Sequence, residues 1–312
     1  MRLNILLAAM SAAGLMSLVG PAQASITFQF NPLGGGIGAG LINGAGLIDQ
    51  APGNANALNG AGPPGPPVAL GTVITDLYQA NLGAVQAPST APLFSNGVGG
   101  NFFTFVASFT EVVVGSIFTP LGGGAFTFTN VFLVNGGGTF KMCAKMALGN
   151  NLTGVGFGCA GDGILSGRIN GGNSTQTAFV LGPLPNLDNA GGSNDWPGVT
   201  TLGTTGAASL SATITFVDAN YFPDLKVGYN IAVNSSLITP YDQIDPSRRF
   251  STGLVTDDTA TNIGAVNGVT GPNFIFQADA NSSFAPEPGA LALGGIALAG
   301  LALLRSRRKQ SK

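Results

Sequence analysis

The chain has 312 residues, a formal charge of −2 and only 8% charged residues against 45% hydrophobic ones, so it is neither a disordered polyelectrolyte nor an ordinary charged-surface protein. It contains no histidine and only two glutamates, Glu111 and Glu287. That excludes a Ser-His-Asp triad, a Cys-His dyad and any imidazole metal site, and it makes an enzyme the unfavoured reading. Residues 25–285 carry six cations against thirteen acids, a formal −7, so no basic face exists for nucleic acid.

The first 24 residues have the three parts of a secretory signal. Arg2 is the charged start, Leu6 to Val19 the apolar run, and Ala22-Gln23-Ala24 the small-x-small cleavage site, placing the cut between Ala24 and Ser25. A short membrane anchor is the alternative.

Residues 25–284 read as one secreted, all-β domain, a sandwich or jelly roll with Gly-rich loops. Residues 31–67 read as a loop containing the stiff Gly62-Pro63-Pro64-Gly65-Pro66-Pro67. Val73–Val85 fits a strand, but Ile74, Leu77, Tyr78, Leu82 and Val85 also fit a helical face. Strands are predicted at Ile26–Phe30, Phe102–Ile117, Ala125–Val134, Thr139–Met146, Ser209–Val217, Lys226–Val233 and Asn273–Gln277. In Phe126-Thr127-Phe128-Thr129 the aromatics fall on one face and the hydroxyls on the other. Glycine clusters at 34–36, 99–100, 122–124, 136–138, 171–172 and 191–192 are read as the turns between strands.

Cys143 and Cys159 are the only cysteines. In an exported chain they are expected to pair, contributing roughly 3 kcal/mol through loop entropy. Trp196 lies in a loop sequence and is a candidate for stacking on a sugar ring; packing back onto the sheet is its other reading. Asp218-Ala219-Asn220 and Asp279-Ala280-Asn281 share one pattern. Both read as strand-end turns, while oxygens at i and i+2 make Asp218, Asn220, Asp279 and Asn281 weak calcium candidates. No catalytic residue and no cofactor are assigned.

Residues 285–312 have an ordered composition. Pro286-Glu287-Pro288 comes first, then the apolar run Gly289 to Leu304, then Arg305, Arg307, Arg308 and Lys309. The prolines keep the backbone extended, the run is near the length of a membrane helix, and the cations act as a stop on the cytoplasmic side.

This tail resembles the PEP-CTERM sorting signal of Gram-negative bacteria. The resemblance implies recognition of Pro286, Glu287 and Pro288 by exosortase, passage through the inner membrane, and delivery to the cell surface or extracellular matrix. The core segments Ile26–Pro32, Ile48–Ala55, Thr72–Ala80, Phe102–Phe105 and Phe276–Phe284 are similar to flocculation-associated members of the family. That similarity implies a non-enzymatic matrix protein acting with extracellular polysaccharide in flocs or biofilm. A surface module with a defined sugar site is the alternative expectation.

Overall fold

The computed structural model describes residues 25–58, 60, 68–89, 91–159, 161–251, 261–264, 266 and 273–286. Ala24 and the signal segment, the Gly62–Pro67 loop, Glu287, Pro288, the apolar run and the four basic-stop residues lie outside them. Residues Ile26–Pro286 form one compact unit. Its described residues are nearly all β, with one 3-10 turn among them at Val98–Gly100. No helix among the described residues is long and apolar enough to cross a membrane.

The strands in chain order are β1 (Phe28–Phe30), β2 (Ile42–Ala45), β3 (Leu47–Gln50), β4 (Gly53–Leu58), β5 (Val73–Gln86), β6 (Pro92–Ser95), β7 (Phe102–Gly122) and β8 (Ala125–Val134). They continue with β9 (Gly138–Lys145), β10 (Leu165–Val180), β11 (Gly203–Val217), β12 (Asn230–Thr239), β13 (Arg249–Phe250), β14 (Thr261–Asn262) and β15 (Phe274–Ala285).

Their pairing closes on itself. β5 pairs with both β3 and β4, and so does β15, so these two short strands act as one strand broken at Ala51-Pro52. β8 and β9 likewise share one position between β7 and β10. β15 then runs through β12 and β11 to β10, and β7 pairs back to β5. All these ladders are antiparallel. The expected pair of facing sheets is therefore a single sheet joined into a ring. Closure removes the unpaired edges that an open sheet would expose.

Alternation along each strand sends one set of side chains inward. One end of the ring is filled by aromatics from several elements. Phe28 lies 4.9 Å from Phe284, and Phe30 lies 5.4 Å from Phe103 and 5.6 Å from Phe94, ring centre to ring centre. Each fully buried ring is worth about 1.5–3 kcal/mol. Toward the other end Ile74, Val113, Phe132, Phe274 and Phe276 form a second inner cluster.

Among the described residues, loops cover the outside on the flank of β4, β5 and β15. Outward amides on β4, β5 and β15 grip the backbone of crossing loops. Asn54 Nδ2 donates to the carbonyls of Asn151 and Asp245, Gln79 Nε2 to that of Arg249, and Asn81 Nδ2 to that of Gly149. The same flank carries an apolar cluster of Leu77, Leu187, Tyr241, Phe250 and Ile275. Gly154, at φ 67°, is needed where two loops meet, because a Cβ there would strike the Arg249 carbonyl.

Two further expectations are corrected, and one open reading is decided. Residues 31–67 are not one loop, since β2, β3 and β4 lie within them; Ala, Gly and Asn have low strand preference, and pairing on both flanks overrides it. Val73–Val85 is a strand, not a helix. Gly171-Gly172 is no turn but lies inside β10, where a Cβ on Gly172 would strike the Ser209 carbonyl of β11.

Candidate functional site

β10, β11 and β12 present their outward side chains to solvent. Alternation exposes Ala232, Asn234 and Ser236 on β12, and Ala207, Ser209 and Ser211 on β11. Register then aligns these positions across strands. Asp49, Asn281, Asn234, Ser209 and Asn173 stand opposite one another in one row over β3, β15, β12, β11 and β10. At about 4.8 Å per strand the row is roughly 19 Å long. Asp279, Ser236, Ala207 and Thr175 form the next row. Because the side chains are short, they leave a shallow trough of about 440 Å³.

The trough is neutral over most of its length. Asn offers both donors and an acceptor, and Ser and Thr hydroxyls do either job. Ser209 Oγ donates to Asn234 Oδ1 at 3.1 Å. Asp49 and Asp279 lie at one end. Burial raises the pKa of both, and the charge of Asp49 raises Asp279 further. Such a surface exchanges hydrogen bonds with hydroxyl-rich partners and has little long-range charge.

Asp279 and Asn281 are thus not a strand-end turn. Both point outward from the middle of β15, because the strand continues to Ala285. Asp218 does make the expected turn: its Oδ1 accepts from the Asn220 N–H at 2.9 Å. The two Asp-Ala-Asn sequences are therefore unlike in structure.

Trp196 packs back onto the domain, the other of its two readings. It is only 7% exposed, its Nε1 donates to the Pro246 carbonyl at 2.9 Å, and the Arg248 guanidinium covers a ring face at 4.5 Å. Cys143 and Cys159 are bonded, with Cα atoms 5.7 Å apart. The bond ties the 146–163 loop to the outside of β9, beside the Thr104 hydroxyl that donates to the Phe157 carbonyl at 2.6 Å. Ser25 and Pro286 are exposed.

Sequence reasoning missed two carboxylate groupings. Asp188, Asp195 and Asp245 bring ligand oxygens within 4.8 Å of one another, from positions too far apart in sequence to suggest a site. Both Asp188 oxygens already accept backbone N–H groups, from Ala190 and Asp195. The second grouping is inside the ring. Asp76 and Glu111 face inward, and burial raises both pKa values, Glu111 to about 7. Glu111 Oε2 accepts from Ser174 Oγ at 2.7 Å. An inward Asp between Ile74 and Tyr78 was the available signal, but it required knowing that this segment is a strand.

No family model, no curated protein and no solved structure matches this chain.

Proposed function

We propose that this chain is an exported, non-enzymatic matrix protein that holds exopolysaccharide on the neutral outer face of β10–β12 and so supports floc or biofilm formation. The row Asp49, Asn281, Asn234, Ser209 and Asn173 carries the reading. It is long, shallow and built of amides and hydroxyls, which suits many weak hydrogen bonds to a polymer rather than one tight pocket. The Cys143–Cys159 bond suits an oxidising location. The interacting carboxyls Asp76 and Glu111 are enclosed, where a polymer cannot reach them, so they do not favour a hydrolase.

Delivery in this proposal uses the signal cut at Ala24–Ser25 and exosortase handling of Pro286-Glu287-Pro288, with the inner membrane occupied before processing. A defined aromatic sugar site is the lesser reading, because Trp196 is packed away.

Affinity electrophoresis through gels containing the host exopolysaccharide tests the face. The purified chain should be retarded, and Ser209→Leu with Asn234→Leu should run freely while remaining folded. Equal mobility of both proteins, or no retardation of either, would sink the assignment.

A further inference from the structure

We infer that the closed sheet encloses a binding site for one small amphipathic molecule, an apolar body of about benzene size that carries a hydroxyl group. The site is a cavity of about 100 Å³ between the two inner clusters. It exists because β11, β12 and β15 place small residues there: Ala208, Ala212, Ser235, Ala278, Ala280 and Ser282. Leucines at these positions would close it.

Apolar cavities of this order stay dry and take benzene-like guests, as an engineered cavity of about 150 Å³ does. This cavity differs in one respect. Gln50 on β3 and Asp76 and Tyr78 on β5, two paired strands, line it, and Gln50 Oε1, Asp76 Oδ2 and the Tyr78 hydroxyl are all buried without a hydrogen-bond partner. Gln50 is 4% exposed and Asp76 6%. Unpartnered buried polar atoms are costly, and native interiors pair nearly all of them.

The chemistry of the three atoms selects the guest. Gln50 Oε1 can only accept, so the guest must donate. Tyr78 is a protonated phenol, and burial with the neighbouring Glu111 charge favours the protonated form of Asp76. Tyr78 can donate to the oxygen of a guest that donates to Gln50, whereas Asp76 is six residues along β5 from Leu82, the partner of Gln50, too far to share that hydroxyl. A hydroxyl does both jobs at once. A carboxylate cannot donate, and an ammonium would have to shed its water in an apolar chamber. The remaining walls, including Phe105, Phe109, Leu210 and Val233, fit the apolar body.

The test is calorimetric titration of the purified chain with phenol and with benzene, alongside melting curves. Phenol should bind once per chain, raise the melting temperature saturably, and bind at least tenfold more tightly than benzene. Tyr78→Phe should narrow the gap between the two affinities, leaving the part that Gln50 Oε1 supplies. Ala280→Leu, which fills the space, should abolish phenol binding while the protein still melts cooperatively; Ala208→Leu, from another strand, is the substitute should that variant not fold. Absence of saturable phenol binding would mean a chamber for water only and would overturn the inference. Equal affinity for phenol and benzene would overturn the role of the polar wall. Undiminished binding in a folded space-filling variant would place the phenol elsewhere and overturn the site.

Discussion

Replacing Glu111 with Gln should make the protein more stable at neutral pH and leave it unchanged in acid. Glu111 is 6% exposed. Burial raises its pKa from 4.5 to about 7, although the Ser174 hydrogen bond works in the other direction. Below pH 4.5 the carboxyl is protonated in both the folded and unfolded chain. Between pH 4.5 and 7 the unfolded chain loses this proton first, so unfolding gains and stability falls as pH rises. Above about pH 7 both forms are ionised and the loss stays constant. At 1.36 kcal/mol per pH unit the loss is about 3 kcal/mol. Gln keeps the shape and can still accept from Ser174 Oγ, but it cannot ionise. Denaturant unfolding at pH 4, 6 and 8, followed by circular dichroism, should show equal stabilities at pH 4 and an excess of about 3 kcal/mol for Glu111→Gln at pH 8. That corresponds to roughly 6–12 °C in melting temperature for a domain of this size. Asp76 keeps a raised pKa of its own, so the variant retains a shallower slope of the same sign. Identical slopes in the two proteins, or a variant less stable at pH 8, would refute the reasoning.

Reducing the Cys143–Cys159 bond, or changing both residues to Ser, should cost about 3 kcal/mol on the loop-entropy estimate, read from denaturant midpoints with and without reductant. Trp196→Phe should lose the hydrogen bond to Pro246 and cost about 1–2 kcal/mol, with no change in retardation by polysaccharide; weakened retardation would restore Trp196 as a binding residue. Gly154→Ala should cost at least about 1–2 kcal/mol, the penalty of a left-handed non-glycine residue, before its contact with the Arg249 backbone is counted. Chelator should leave the melting temperature within about 2 °C, since Asp188 already accepts two backbone donors and 1 kcal/mol is worth only about 2–4 °C here. A larger fall, reversed by calcium and absent in Asp245→Asn, would show a cation at Asp188, Asp195 and Asp245.

The strands that could be read in advance were those with strict alternation of aromatic and hydroxyl side chains, such as Ala125–Val134. Those that could not were polar or small for reasons outside the strand. Asn54, Gln79 and Asn81 are buried because loops lie over them, so their polarity does not signal solvent. β10 carries Gly171-Gly172 because β11 comes close, and the same glycines in isolation mimic a turn. Closure itself was illegible: a sandwich and a ring demand the same alternation, and only the register of β7 on β5 distinguishes them. The outer row illustrates a half-readable site. The i, i+2 spacing of Asp279 and Asn281 does place both on one face, but Asp49, Asn234 and Ser209 join them only through pairing.

The backbone N–H of Ile26 donates to the carbonyl of Phe284 at 2.9 Å, so the chain enters and leaves the domain at one corner. β15, the strand that leads out, is flanked along its length by β12 on one side and by β4 and β3 on the other. Tension directed along β15 would load its hydrogen bonds together, in shear. It cannot peel them one at a time, as it would at the rim of an open sheet. Under the proposed function, a polymer held on the outer face of β10–β12 would pull against the same ladders. Were the protein held at one end and burdened at its side, as proposed, that geometry would turn a modest number of ordinary hydrogen bonds into a mechanically resistant link.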